Sequence, residues 1–205
     1  MELCETIIAS ICYNMCEKPT VNCSITLTKK LMRKIIQHTL GICVFICLLA
    51  TVAVAQDQEP KPSPAASTEG TVAGADIEIH YSSPAVKGRT IWGDLVPYAE
   101  VWRAGANEAT TFYTSKAIKV QGESLPAGLY AFFLIPAENG QWIGIFNKQA
   151  KQWGAFEYDE SQDQLRVVLK PEPLKETQER LTYSMTEQGF ELSWDKLRIP
   201  AEITE

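Results

Sequence analysis

Hydrophobic and polar residues alternate with a period of two along much of the chain. The alternation is found over residues 76–81, 165–170, 180–186 and 190–195. A period of two is typical of a half-buried β-strand, because successive side chains of a strand point to opposite faces of the sheet. Residues 129–135 are apolar throughout, which predicts a central strand that is covered on both faces.

Turn signals separate the strand-like stretches. Asn139-Gly140, Gln121-Gly122 and Gln188-Gly189 each lie between two such stretches, and Asn-Gly in particular is typical of a tight hairpin. No long segment repeats apolar residues every 3.6 positions, so we expect at most short helices, around residues 97–103 and 148–152. Many short strands joined by hairpins predict an all-β fold, namely an antiparallel β-sandwich of about eight or nine strands.

Two connections are too long to be plain turns, and we call them loop A (residues 92–109) and loop B (residues 147–164). Long connections in compact domains are usually functional or disordered. These two contain three of the five tryptophans together with further aromatic residues, which argues against disorder. We therefore expect both loops to fold back onto the sandwich and to carry the functional site.

The first 55 residues differ from the rest in composition and charge. All six cysteines lie there, and an apolar run without charge over residues 39–55 follows a cluster of Lys and Arg and ends in small residues. This order is typical of an export signal. We expect residues 32–55 to be a signal peptide that is cleaved after Ala55, and residues 1–31 to be an extension upstream of the true translation start. The alternative is an uncleaved membrane anchor.

Cleavage near Ala55 would leave an acidic, cysteine-free protein that is periplasmic or secreted. Residues 56–205 carry 14 Lys and Arg against 22 Asp and Glu, a net charge of −8, which argues against nucleic acid as a partner. We expect membrane contact only through the signal segment, if that segment is retained. Residues 56–75 are rich in Pro, Ser and Ala, and we expect a flexible tail there. The folded domain is predicted to span residues 76–203.

Loop A concentrates polar side chains around a glycine. Arg103, Asn107 and Glu108 flank Gly105, which permits a positive φ that could turn Arg103 back towards Glu108. One interpretation is a ligand-binding cluster, in which Arg103 holds a carboxylate, a phosphate or sugar hydroxyls and Trp102 supplies a packing surface. The other is an ion pair between Arg103 and Glu108 that fixes the loop.

Loop B adds Asn147, Lys148, Trp153 and Tyr158 to the predicted ligand-binding residues. The amide and the ammonium group could contact polar atoms of a ligand, and the two aromatic rings could pack against it. The binding site is therefore predicted to be shared between the two loops.

Acid–base chemistry is a separate possibility. Glu100 and Glu108 of loop A are the candidate catalytic carboxylates, and His80 is a further candidate on the polar side of its strand. A single histidine cannot form a typical zinc site, so we expect no metal. The region after residue 55 contains no recognised cofactor-binding motif, so we expect no cofactor.

Several motifs of the domain resemble those of a known family. They are Tyr81-Ser82-Ser83-Pro84, Lys87-Gly88-Arg89, Ile91-Trp92-Gly93, Glu100-Val101-Trp102-Arg103-Ala104-Gly105-Ala106-Asn107-Glu108, Leu125-Pro126-Ala127-Gly128 and Gln152-Trp153-Gly154-Ala155-Phe156. These motifs are similar to those of the bacterial domain-of-unknown-function family 2911. The similarity covers nearly all of residues 76–203, and Ala99 stands where the family pattern has glycine. The resemblance implies an exported β-rich domain of the bacterial envelope, and it implies no particular activity.

Three functions remain open from the sequence. The first is a binding module that acts through loops A and B on a small molecule, a glycan or an envelope protein. The second is a metal-independent hydrolase that uses the loop carboxylates. The third is a structural or assembly module of the bacterial envelope. The clustered polar and aromatic residues of the two loops favour the first.

Overall fold

The structure is a computed structural model that describes residues 62–138 and 140–205. Within them the chain forms ten strands and one short 3-10 helix, Glu160–Gln162. The strands are β1 (Ala65–Val72), β2 (Ala75–Ser82), β3 (Thr110–Thr114), β4 (Ile118–Val120), β5 (Glu123–Leu125), β6 (Gly128–Ile135), β7 (Trp142–Asn147), β8 (Asp163–Leu169), β9 (Glu172–Thr186) and β10 (Gly189–Thr204).

The strands form two antiparallel sheets. One has six strands in the order β1-β2-β3-β6-β7-β8, and the other has four in the order β5-β4-β10-β9. This arrangement confirms the prediction of an all-β antiparallel sandwich. The alternation seen in the sequence is reproduced in β2, whose residues 75–81 are buried and exposed in turn.

The six-stranded sheet is covered on both sides at its centre. β6 lies between β3 and β7, and its residues 130–134 are all buried, as the continuous apolar run predicted. One face meets the core between the sheets. On the other face, Val101 of loop A and Tyr158 of loop B pack against Phe133 and Ile145. Both loops therefore fold back onto the sheet.

The second sheet is built on one long, bent strand. The first part of β10 pairs with β9, for example Phe190 with Met185, whereas its last residues pair with β4. The bend brings the two parts together, so that the N–H of Ile203 donates a 2.7 Å hydrogen bond to the carbonyl oxygen of Gln188. A Cβ on Gly189 would lie 2.0 Å from the carbonyl oxygen of Ala201. Only glycine fits at this point of the strand.

Two hairpins have the turns that the sequence indicated. Gln121 and Gly122 join β4 to β5 with φ of 52° and 84°, the left-handed pair of a type I′ turn. Gln188-Gly189 lies where β9 turns into β10. The third signal, Asn139-Gly140, includes Asn139, which lies outside the described residues.

The structure differs from the sequence-based expectation at two places. Residues Ala65–Val72 belong to the predicted flexible tail but form β1, which pairs with β2 along its whole length. The second difference concerns the short helices. Neither of the two predicted helices forms. Residues 97–103 contain turns and bends, because the backbone of Trp102 pairs with that of Leu134. Residues 148–152 are irregular, because side-chain hydrogen bonds hold loop B in another conformation.

Several expectations concern residues that the structure does not describe. The predicted extension (1–31), the signal peptide (32–55) and the first part of the tail lie outside the described residues. In the described part of the chain, no helix is long and apolar enough to cross a membrane.

Candidate ligand-binding site

Loop A is anchored to the core by tryptophan. The N–H and the carbonyl oxygen of Trp102 each form a 2.8 Å hydrogen bond with the backbone of Leu134 in β6. The Trp102 indole stacks on Trp194 of β10 at 5.8 Å, and Trp92 meets both of them edge-on. The backbone that leads into the next residue, Arg103, is therefore buried and fixed in position.

The turn after Arg103 is held by hydrogen bonds to the core. Ala104 is buried with a φ of 52°, and its carbonyl oxygen accepts hydrogen bonds from the hydroxyls of Thr110 at 3.0 Å and Tyr183 at 2.9 Å. Asn107 also has a positive φ, 58°, and its amide donates to the carbonyl oxygen of Ser63 and the hydroxyl of Ser82.

Gly105 has a different role from the one that the sequence suggested. Ala104 and Asn107 adopt the left-handed conformation, whereas Gly105 does not. A Cβ at Gly105 would lie 2.9 Å from the Thr110 hydroxyl and 3.2 Å from the carbonyl oxygen of Ser82. Glycine is required here because the turn passes very close to β2 and β3.

Loop B is organised by its own polar side chains. Asn147 is fully buried, and its amide donates to the carbonyl oxygen of Asp159 at 2.9 Å and to a carboxylate oxygen of Asp163 at 2.8 Å. Its side-chain oxygen accepts the N–H of Gln149. The hydroxyl of Tyr158 donates a 2.6 Å hydrogen bond to Asp163. Asn147 and Tyr158, which were predicted to bind ligand, therefore shape loop B.

The two loops meet next to Arg103. The N–H of Gly154 donates a 3.0 Å hydrogen bond to the carbonyl oxygen of Asn107, and the N–H of Ala109 donates to the carbonyl oxygen of Gln152 at 3.0 Å. A Cβ at Gly154 would lie 3.7 Å from Nη1 of Arg103. Loop B thus lies directly against the guanidinium of loop A.

A cavity of about 280 Å³ opens beside this junction, and we call it the arginine cavity. Its polar lining comes from Ser63, Arg89, Arg103 and Asn107, and its apolar lining includes Trp102 and Trp194. Among the described residues, no Asp or Glu lines it. The arginine cavity is thus a basic site in a domain with a strong excess of acidic residues.

Arg103 has no partner for its charge in the part of the chain that the structure describes. Within residues 62–138 and 140–205, its side chain forms no ion pair, and its Nε is buried without a hydrogen-bond partner. Burial lowers the pKa of the Arg103 guanidinium, although an arginine remains charged at neutral pH. The alternative prediction, an ion pair between Arg103 and Glu108, is not found in this structure.

Arg89 contributes positive charge from a fixed position. Its Nε donates a 3.1 Å hydrogen bond to the carbonyl oxygen of Val86, and its Nη2 donates a 2.5 Å hydrogen bond to that of Ala85. Two of its donors are therefore already used by the backbone. Arg103 has no side-chain hydrogen bond among the described residues, so it is the arginine with the larger number of unused donors.

The remaining predicted site residues lie away from the cavity. Glu100, Glu108 and Lys148 are exposed, and none of them lines the arginine cavity. His80 is exposed on β2, with Nε2 3.6 Å from a carboxylate oxygen of Glu78. Trp153 is 57% exposed and pairs through its backbone with Glu108 outside the cavity.

The structure adds residues that sequence reasoning missed. Arg89 and Trp194 line the cavity, and Ser63 closes one side of it just before β1. Arg89 belongs to the Lys87-Gly88-Arg89 motif and could have been selected from it. No local signal marks Trp194, because it reaches the cavity only through the folding of β10 against loop A.

A second cavity, of about 410 Å³, lies along the bend of β10. It is lined by four glutamates and by Arg198, which forms a 2.6 Å ion pair with Glu172. Its one arginine is thus already neutralised by the protein. In the described part of the chain, no group of three His, Cys, Asp or Glu side chains is placed to hold a metal ion.

Comparison with known proteins identifies the family. A family model described as "Protein of unknown function (DUF2911)" matches residues 63–203. The chain belongs to the DUF2911 family. The match begins just before β1, so this DUF2911 domain includes the strand that the sequence had assigned to the tail. No curated protein and no solved structure matches the chain.

Proposed function

We propose that this DUF2911 domain binds a small anionic ligand in the arginine cavity. The observation that carries the proposal is the half-buried guanidinium of Arg103, which borders the cavity and has no carboxylate or carbonyl partner among residues 62–138 and 140–205. A buried charge without a partner lowers stability, and the cost is offset when a ligand supplies the acceptor. The planar fork of a guanidinium matches the two oxygens of a carboxylate or phosphate.

The surroundings of Arg103 support the same proposal. The Trp102–Leu134 pairing and the two hydrogen bonds to Ala104 fix the backbone on both sides of Arg103. A binding group whose backbone is already fixed loses less conformational freedom when the ligand arrives. Arg89 adds a second positive charge, and two of its donors are already bonded to backbone carbonyl oxygens.

The proposal can be tested by titrating the purified protein with acetate, phosphate and sulfate and following tryptophan fluorescence. Trp102 and Trp194 line the cavity, so occupancy should change their emission. We expect Arg103→Gln to weaken binding by about tenfold to a hundredfold, the effect of losing a charge-assisted hydrogen bond. We expect Arg103→Lys to weaken it less, because the charge remains and the fork is lost.

Arg198→Gln is the matched control. It removes the same charge from an exposed arginine at the second cavity, and binding should stay within about twofold of the original value, as expected for a screened distant charge. Equal loss of affinity in Arg103→Gln and Arg198→Gln would contradict a specific site. Unchanged affinity in Arg103→Gln would also contradict it.

A hydrolase receives less support than a binding module. Glu100 and Glu108 are exposed, and neither lines the arginine cavity. Acid–base catalysis needs a carboxyl group within hydrogen-bond reach of the bound substrate. We therefore propose binding without hydrolysis, and we expect no ligand of the cavity to be cleaved during prolonged incubation.

We further propose that the domain acts outside the cytoplasm, on the basis of the signal-like sequence over residues 32–55. N-terminal sequencing of the exported protein should give a product that begins near Gln56. A mature product that begins at or before Cys23 would contradict this proposal. The partner is then a small molecule of the periplasm or the medium.

A further inference from the structure

We infer that the ligand of the arginine cavity is an organic carboxylate with an apolar body, rather than an inorganic anion. This inference rests on the proposed anion binding at Arg103 and adds the chemical class of the ligand. It is drawn from the walls, the rim and the size of the cavity.

Apolar residues outnumber polar ones in the wall, although polar and apolar atoms share its exposed surface. Pro84, Leu95, Val96, Trp102, Ala106 and Trp194 line the cavity, against four polar residues. An inorganic anion would gain nothing from these surfaces, because it presents no apolar area to them. A ligand with a hydrocarbon body gains about 25 cal/mol for each Å² of apolar surface that it buries there.

The rim extends the apolar surface beside the charge. Leu95 lines the cavity although its side chain is 43% exposed, and Phe156 of loop B is 86% exposed. Phe156 Cδ2 and Arg103 Nη1 lie 3.1 Å and 3.7 Å from the position that a Cβ of residue 154 would occupy. The exposed phenyl ring and the guanidinium thus both border Gly154, and we infer that the ring contacts the body of a ligand whose carboxylate is bound to Arg103.

The fork of Arg103 is well suited to a carboxylate. Arg103 offers one fork, Arg89 has two of its donors bonded to carbonyl oxygens, and the Asn107 amide already donates twice. One fork satisfies the two oxygens of a monoanionic carboxylate. A phosphate dianion would present a third oxygen, and the donors left for it are the remaining ones of Arg89, because the Asn107 amide is used and no lysine lines the cavity among the described residues.

The volume limits the size of the body. The cavity holds about 280 Å³, and an apolar cavity of about 150 Å³ is large enough for benzene. A ring or a short alkyl chain together with its carboxylate therefore fits. Benzoate and the straight-chain acids up to octanoate are suitable probes.

The test is a calorimetric titration of the purified protein with acetate, butanoate, hexanoate, octanoate, benzoate and phosphate. We expect affinity to rise by about fourfold for each methylene group that is buried, and we expect benzoate to bind more tightly than acetate or phosphate. The gain should end once the chain is longer than the cavity and its rim.

One substitution and its matched control test the role of the apolar surface. Phe156→Ala, at an exposed side chain, should reduce the gain from acetate to octanoate by about fourfold or more and leave acetate binding unchanged. Val168→Ala is the matched control, because Val168 is a 54% exposed residue of β8 that does not line the cavity. Its binding series should equal that of the original protein.

The outcomes distinguish the inference from the proposed function. Binding of acetate and phosphate that depends on Arg103, with no gain from chain length, would overturn the inference and leave anion binding intact. Tighter binding of phosphate than of every carboxylate would do the same. Failure of all six anions to bind would overturn both.

Discussion

The hydroxyl of Tyr183 donates a 2.9 Å hydrogen bond to the carbonyl oxygen of Ala104. Tyr183 belongs to β9 of the four-stranded sheet and is buried, whereas Ala104 directly follows the cavity arginine in loop A. Burial raises the pKa of Tyr183 well above its usual value, so the hydroxyl keeps its proton and remains a donor. The contact therefore connects the core of one sheet to the position of Arg103.

Removing this hydroxyl should lower stability. In Tyr183→Phe the carbonyl oxygen of Ala104 keeps only the hydrogen bond from Thr110, and Ala104 is held in a left-handed conformation that is unfavourable for alanine. We expect the free energy of unfolding to fall by about 1–2 kcal/mol, as for other lost buried hydrogen bonds. Urea denaturation measures it.

Tyr113→Phe is the control for that measurement. Tyr113 lies on β3, is only partly buried, and forms no hydrogen bond through its hydroxyl among the described residues. Its substitution should change the free energy of unfolding by less than about 0.5 kcal/mol. A loss in Tyr183→Phe no larger than in Tyr113→Phe would contradict a structural role of the Ala104 contact.

The β-sandwich could be predicted because period-two alternation reports strands directly. β2 and β6 follow from their residues alone, since one alternates and the other is apolar throughout. β1 could not be predicted in this way. Its sequence, AASTEGTV, contains one large apolar residue, and it forms a strand because β2 offers a complete row of backbone partners. Those partners are available only once β2 has formed, so the sequence of β1 alone does not indicate a strand.

The site could be predicted only in part, for a similar reason. The sequence points to Arg103 because polar side chains cluster around Gly105 in a long loop that is rich in aromatic residues. Asn147 was selected for the same kind of reason, yet all its side-chain bonds go to loop B. Tertiary contacts decide whether an asparagine side chain binds a ligand or the protein's own loop. The sequence pattern does not contain that information.

Ala99→Gly should stabilise the protein. Ala99 is exposed and has a φ of 62°, which costs about 1–2 kcal/mol for a residue with a Cβ. Glycine removes that cost but makes the unfolded chain more flexible by about 0.5–1 kcal/mol. The net gain in the free energy of unfolding should be up to about 1 kcal/mol.

Ala127→Gly is the control for Ala99→Gly. Ala127 is also exposed, but its φ is not positive, so the substitution should cost about 0.5–1 kcal/mol. Thermal unfolding of both variants, measured side by side, gives the comparison. Destabilisation of equal size in both would show that Ala99 is not strained.

Gly189→Ala should disrupt the second sheet. The added Cβ would lie 2.0 Å from the carbonyl oxygen of Ala201, and that oxygen belongs to backbone that cannot rotate away. We expect a loss of more than about 3 kcal/mol in the free energy of unfolding, or insoluble protein, because overpacking and backbone strain add.

Gly122→Ala separates the effect of the clash from that of backbone conformation. Gly122 has a φ of 84°, and a Cβ there would meet nothing within 4 Å, so we expect a loss of only about 1–2 kcal/mol. Urea denaturation of the two variants makes the comparison. Similar losses would mean that the bend of β10 relaxes around the added methyl group.

The hydroxyl of Tyr158 in loop B lies between the carboxylate of Asp163 and the guanidinium of Arg166 in β8. It donates to Asp163 at 2.6 Å and accepts a 2.7 Å hydrogen bond from Arg166. Burial, followed by the hydrogen bond to Asp163, raises the pKa of Tyr158 to about 12, from an ordinary value of 10.0. The folded protein therefore favours the protonated hydroxyl.

This raised pKa predicts a specific loss of stability in alkali. Because the pKa of Tyr158 is higher in the folded than in the unfolded state, its contribution is complete below pH 10 and is lost as the pH rises towards 12. Tyr158→Phe cannot ionise at this position. We expect the difference in the free energy of unfolding between the original protein and Tyr158→Phe to decrease by on the order of 1 kcal/mol between pH 8 and pH 11. Urea denaturation at each pH measures this difference. An advantage that is constant over this range would show that Tyr158 titrates like an exposed tyrosine.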